Sequence, residues 1–157
     1  MTEYPNHAEE LINRLIPQHP EKIVAIGGDG TVNEVGNALK GTEIPMGIIP
    51  LGSGNGIARH LKIPMNTEKA LEIALHGKAN FIDVLGWNNR AFFCTAGIGF
   101  DAYVAAIFHE GNGRGLFNYI KASLKAISTY NTTEIRFDSN LAQNYFSFTI
   151  ANANQFG

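Results

Sequence analysis

The sequence predicts an α/β protein. A first lobe over residues 1–78 holds a parallel sheet with helices on both faces, and a β-rich α+β second lobe occupies residues 79–157. Three observations carry that prediction. Short apolar runs alternate with helical periodicities through the first half, the pattern of βαβ units and a parallel sheet. Two of those runs, Ile23–Ile26 and Ile44–Leu51, pass directly into glycine-rich turns that open helices. From residue 79 onward the pattern changes to paired strands.

Ala8–Ile16 places Leu11, Ile12, Leu15 and Ile16 at helical spacing, and Pro17 ends that helix because proline lacks the N–H a further turn needs. Ile23–Ile26 is short, apolar and rich in β-branched residues, as a strand buried on both faces must be. Gly27, Gly28 and Gly30 then permit a turn with positive φ and let a ligand approach the backbone closely. A helix over Thr31–Leu39 would aim its unpaired N–H groups and positive dipole end at that turn. Met46–Pro50 is the second strand, and Gly52–Leu61 follows it as another small-residue turn entering a helix. Thr67–Leu75 reads as a capped amphipathic helix with Gly77 as its stop.

In the second half, Asn80–Gly86 and Arg90–Thr95 flank a turn at Asn88 and Asn89 and read as a β-hairpin. Helices over residues 101–110 and 116–130 follow. Leu116, Ile120, Leu124 and Ile127 form one apolar stripe on the second of them. Gly111–Gly115 joins the two helices, with a composition that suits either a hinge or a plain connection. Strands over 134–138 and 145–151 close the chain.

The chemistry concentrates in the two glycine turns. In an open parallel sheet, turns at the carboxyl ends of neighbouring strands form one crevice, which is where ligands bind. A carboxylate in a bare phosphate nest repels its ligand unless a divalent cation or a hydroxyl donor intervenes, so Asp29 points to Mg²⁺ or to proton transfer. A plain helix cap is the alternative for Asp29. Ser53 and Asn55 offer neutral groups to phosphate or ribose oxygens, and Arg59 adds a charge if it turns inward or else forms a surface salt bridge. His60 reads as a packed or solvated helix residue. Asp83 and Asp101 border apolar segments, with a helix cap the simplest role for Asp101.

The run Gly27-Gly28-Asp29-Gly30-Thr31, continued by Val32-Asn33-Glu34-Val35 and then by Pro50-Leu51-Gly52-Ser53-Gly54-Asn55-Gly56, resembles the diacylglycerol kinase catalytic-domain family, which also includes sphingosine, ceramide and bacterial lipid kinases. The first run alone is shared with NAD kinases and, more distantly, phosphofructokinases; the second distinguishes the lipid-kinase branch. The resemblance implies an ATP-dependent kinase that uses Mg²⁺ and phosphorylates a lipid hydroxyl such as that of diacylglycerol. A NAD kinase-like enzyme and a non-catalytic nucleotide-binding fragment are the alternatives. It assigns nucleotide contacts to Gly27, Gly28, Asp29, Gly30, Thr31, Asn33, Glu34, Ser53 and Asn55, and to Thr2, which precedes a family-like helix start at Asn6-His7-Ala8. Thr2 or Asn6 acting as a helix cap is the other reading there. Asp29 is the candidate catalytic residue, and no metal ligand is assigned within the chain. The family domain extends further at both ends, with a strand before the threonine and acidic residues after position 157, so the chain is expected to be a fragment.

Composition bounds the partners. With 45% hydrophobic and 17% charged residues the chain is globular, not disordered. A net charge of −2 and no dense Lys/Arg run give nucleic acid no electrostatic purchase. The apolar runs are too short to span a bilayer and Met1 is followed by polar residues, so a cytoplasmic protein meeting lipid peripherally at a membrane surface is expected. The single cysteine, Cys94, excludes an internal disulfide, and its apolar surroundings favour a buried structural thiol.

Overall fold

The alternation of strand and helix becomes a small parallel α/β layer in the computed structural model, which describes residues 2–4, 6–88, 90–110, 116–136 and 142–154. Two compact units are formed, one by Met1–Thr95 with Ala151–Gly157 and one by Ala96–Ile150. Asn89, the glycine-rich stretch 111–115 and residues 137–138, all named in the sequence reading, lie outside the described residues.

In the first unit, α1 (His7–Leu15) passes through a 3₁₀ turn at Ile16–Gln18, where Pro17 stops the α-helix. Then come β1 (Ile23–Gly27), α2 (Asp29–Leu39), β2 (Met46–Pro50), the short α3 (Gly56–His60) and α4 (Thr67–His76). β1 and β2 pair in parallel from Ile23 opposite Met46 to Gly27 opposite Pro50. That register brings both glycine turns to the same edge.

Helices α1 and α2 cover one face of this pair, and α4 covers β2 on the other, where Ile26 of β1 stays exposed. On one face Ala25 and Ile48 meet Val32, Val35 and Leu39 of α2 and Ala8 and Ile12 of α1, in a core that also takes in Ile57, Ala58 and Phe93. On the other face α4 packs so closely that a Cβ on Gly47 would lie 2.7 Å from the Ala74 Cβ. The Asn66 carboxamide caps α4 by accepting from the Lys69 N–H at 3.0 Å. At its far end the Lys22 ammonium meets the Ala74 and Leu75 carbonyls, where a cation offsets the negative end of the helix dipole.

The hairpin pairs β3 (Leu85–Trp87) with β4 (Arg90–Phe92), Leu85 opposite Phe92. It is shorter than its sequence pattern: residues 80–84 have no strand partner among the described residues, and Phe81, Ile82 and Val84 are exposed. Sequence reasoning missed what anchors it. The Asn37 side chain on α2 donates to the Ala91 carbonyl at 2.9 Å and accepts from the Ala91 N–H at 3.0 Å.

The second unit holds all but the first residue of β5 (Thr95–Gly99), then α5 (Phe100–Glu110), α6 (Leu116–Thr129), β6 (Thr133–Arg136), β7 (Ala142–Tyr145) and all but the last residue of β8 (Ser147–Ala151). β5 pairs with β8 and β6 with β7. Gly99, at φ 96°, makes the corner into α5, where a Cβ would lie 2.7 Å from the Phe146 carbonyl oxygen. The helices pack through Val104, Ala122 and Ala126. Ile120, Leu124 and Ile127, three members of the apolar stripe, are exposed instead. Small alanines let α5 approach, and the larger side chains are left on the outer face of α6.

Candidate functional site

The first turn is built by close approach, not by unusual dihedrals. Gly28, the N-cap of α2, has φ −94° and ψ −171°, an extended backbone, so the positive φ expected at Gly27, Gly28 and Gly30 does not occur. These positions exclude side chains for steric reasons. A Cβ on Gly27 would meet the Thr31 Oγ1 at 2.6 Å, and one on Gly28 would lie 3.0 Å from the Gly52 Cα. The reciprocal contact is tighter, since a Cβ on Gly52 would stand 2.5 Å from the Gly28 Cα. The two turns touch backbone to backbone. The Leu51 N–H also donates to the Gly27 carbonyl at 2.9 Å, extending the β1–β2 ladder into the contact.

α2 begins at Asp29, two residues earlier than its sequence pattern suggests. Its first intrahelical acceptor is the Gly28 carbonyl, which takes the Val32 N–H at 3.1 Å. The N–H groups of Asp29, Gly30 and Thr31 therefore have no intrahelical partner. Gly30 is exposed, and a Cβ there would meet nothing within 4 Å. The amino end of this eleven-residue helix is open to an anion.

Asp29 itself does not face that opening alone. Its Oδ2 accepts from the Gly56 N–H at 3.0 Å and its Oδ1 from the Ile57 N–H at 3.1 Å. Asn55, the one buried polar side chain among the described residues, is held inside the second turn. Its Oδ1 accepts from the Gly52 N–H at 2.8 Å and its Nδ2 donates to the Gly52 carbonyl at 2.7 Å. Asn55 also supplies the positive φ of this turn, at 57°, which asparagine tolerates because its side chain bonds locally. Its carboxamide thus shapes the loop that the sequence places at the nucleotide.

The remaining positions divide. The exposed Ser53 stands at the tip of the second turn. Asn33 faces a small open cleft of about 130 Å³ shared with Asp29, Val32, Ile57, Phe93 and Cys94. The Glu34 carboxylate accepts from the Asn6 N–H at 3.1 Å, tying the segment that carries Thr2 to α2. Thr2 is exposed, and neither it nor Asn6 makes a side-chain cap on α1. Arg59 bonds back onto the second turn, its Nε donating to the Gly54 carbonyl at 2.9 Å. The His60 Nδ1 lies 2.9 Å from the Asn154 Oδ1 and 3.2 Å from the Asn154 N–H. Burial, and then the Asp29 carboxylate, push the Cys94 thiol pKa above its ordinary value. In the second unit Asp101 accepts from Ser147 Oγ at 2.7 Å and Thr149 Oγ1 at 3.2 Å, joining α5 to β8. Among the described residues no three His, Cys, Asp or Glu side chains gather closely enough to hold a metal ion, and no helix is long and apolar enough to cross a membrane.

A parallel α/β layer that presses two glycine turns together beside an open helix terminus defines a class of proteins with a crevice at the carboxyl ends of the strands. The chain belongs to the diacylglycerol kinase catalytic domain family, whose model matches residues 1–87. Over 96 residues it is 35% identical to a "Probable lipid kinase YegS-like" protein of Yersinia enterocolitica, a stretch that spans 59% of this chain and 32% of that protein. A "Probable lipid kinase YegS" of Escherichia coli is 42% identical over 81 residues, 49% of this chain and 27% of the relative. The chain thus matches about a third of the length of these curated relatives. The fold matches the crystal structure of a diacylglycerol kinase from Bacillus anthracis with a TM-score of 0.69 at 24% identity, covering 99% of this chain and 53% of the other.

Proposed function

We propose that this chain carries the nucleotide-binding lobe, and the start of the substrate lobe, of an ATP-dependent lipid kinase that transfers the γ-phosphate to a lipid hydroxyl such as that of diacylglycerol. The observation that carries this reading is the contact between the two glycine turns beside the unpaired amides of Asp29, Gly30 and Thr31. Phosphates would lie against those amides, with Gly27, Gly28 and Gly30 allowing close approach and the Thr31 and Ser53 hydroxyls offering further donors. Asn33 borders the adjoining cleft, and Glu34 holds the Thr2 segment near α2.

Mg²⁺ would enter with the triphosphate, whose oxygens suit a hard cation, and no side-chain cage for it is assigned among the described residues. When bound, it would supply charge neutralisation at the transferring phosphoryl group. The chain's own contribution is positioning: fixed amides meet charge without reorganising as the reaction proceeds. The lipid is met peripherally from the cytoplasm. α6 supports this, because exposed Ile120, Leu124 and Ile127 lie beside Lys121 and Lys125 with no acidic residue in the helix, a composition suited to an anionic bilayer surface.

The test is a transfer assay with γ-labelled ATP, Mg²⁺, vesicles of mixed lipids and NAD, followed by separation of organic from aqueous products. Label in lipid is the expected result. Label in NADP would move the protein to a NAD kinase-like activity, and ATP binding without transfer would leave a non-catalytic nucleotide-binding module. A chain that binds no ATP refutes the site.

A further inference from the structure

A carboxylate placed among phosphate-binding amides poses an electrostatic problem, because two anions a few ångströms apart repel strongly wherever water is partly excluded. A bridging cation is one solution. The protein uses another. Asp29 is the first residue of α2, yet both its oxygens are taken by successive N–H groups at the start of α3, at 3.0 and 3.1 Å. One carboxylate therefore sits at the positive ends of two helices, where its charge is offset before any ligand arrives.

We infer that Asp29 is a positioning residue that fastens the second glycine loop to the first through the Gly56 and Ile57 amides. The surrounding contacts leave the loops little freedom to move separately. Gly28 and Gly52 are in backbone contact, Asn55 clamps Gly52 from both its N–H and its carbonyl, and Leu51 bonds to Gly27. A pull on Asp29 is thus transmitted to the whole turn that carries Ser53. The same bonds occupy the amino end of α3 with a protein carboxylate, so anion binding is left to the amino end of α2. Loop order and phosphate placement then depend on one side chain reaching across 27 residues of sequence.

The nucleotide arm of the test rests on the function proposed above, whereas the amide arm does not. Hydrogen exchange in the wild-type chain should find the Gly56 and Ile57 amides protected by about tenfold or more relative to the Gly30 and Thr31 amides, which have no acceptor. In Asp29→Asn, which keeps the shape but turns an NH₂ toward one of the two donors, exchange at Gly56 and Ile57 should accelerate by about tenfold or more while β1 amides keep their protection. The KM for ATP should rise, with the pH profile of transfer unchanged in shape. The inference is overturned if Gly56 and Ile57 exchange as freely as Gly30 and Thr31 in the wild type, which needs no variant to fold. It is equally overturned if D29N keeps their protection but loses turnover with an unchanged KM, or loses the acidic limb of the pH profile that a carboxylate base would set, since either result assigns Asp29 a direct chemical role. A chain that takes no nucleotide refutes the proposed function and leaves the amide result standing.

Discussion

Substituting Gly52→Ala isolates the contact on which the site depends. The added Cβ would lie 2.5 Å from the Gly28 Cα, 3.3 Å from the Gly28 nitrogen and 2.9 Å from the Asn55 Oδ1. Carbon atoms in ordinary contact sit at about 3.5–4.0 Å, so the loops would have to separate by about 1 Å. Two of the three obstructing atoms are backbone, and no rotamer change relieves them. Separation stretches the Leu51 to Gly27 bond or the pair of bonds that the Gly56 and Ile57 N–H groups donate to Asp29. Overpacking of this kind costs about 1–3 kcal/mol, and the lower chain entropy of alanine in the unfolded state offsets about 0.4–1 kcal/mol of it. A net loss of about 0–2.6 kcal/mol follows, and its middle value of about 1.3 kcal/mol lowers Tm by about 3–5 °C for a chain of this size. Urea denaturation and differential scanning calorimetry measure the stability, and ATP titration measures the site. The expected result is a lower midpoint together with ATP binding weakened by about tenfold or more. A Gly52→Ala protein with wild-type midpoint and wild-type ATP affinity would refute both the apposition of the loops and its use for binding.

Gly30→Ala should behave in the opposite sense for stability, because its Cβ enters open space on a helix and raises stability by about 0.5–1 kcal/mol, yet it should weaken ATP binding by crowding the phosphates; unchanged affinity would remove Gly30 from the site. Asn37→Ala should cost about 1–3 kcal/mol and release the β3–β4 hairpin, read as faster exchange of the Ala91 amide, while an unaffected Ala91 would show that the hairpin holds itself. Alkylation of Cys94 by iodoacetamide should reach its half-maximal rate at a higher pH than an unstructured cysteine, because burial and the Asp29 charge both disfavour the thiolate. Asp29→Asn should move that midpoint back only in part, since burial is the larger cause; a midpoint at or below that of the unstructured thiol would contradict the burial of Cys94.

Much of the first unit was legible because its signals are local. The β-branched run at Ile23–Ile26, the stop at Pro17, the Asn66-capped helix and the strand at Met46–Pro50 each arise from neighbours within one or two turns of chain. The two glycine turns were legible for the same reason, and their family follows from the spacing of a few residues. The reason for the glycines was not. Single-residue freedom suggested positive φ, whereas the coordinates show close approach between two backbones. β5 escaped the sequence reading because it becomes a strand only through β8, about fifty residues later. The apolar stripe of α6 misled in a similar way, since periodicity identifies a face but not which neighbour is small enough to pack there.

By itself, then, the sequence determined the order of strands and helices from α1 through the β3–β4 hairpin, the two glycine turns, and the residues from which a phosphate site could be assembled, because all of these depend on short-range sterics and periodicity. Only the tertiary structure decided what the polar side chains do. Asp29 reaches the α3 amides, Asn55 closes on Gly52, Glu34 holds Asn6 and Asn37 holds Ala91. A hydrogen bond is won by whichever donor the packed backbone brings within about 3 Å, and for three of these four that donor lies more than twenty residues away.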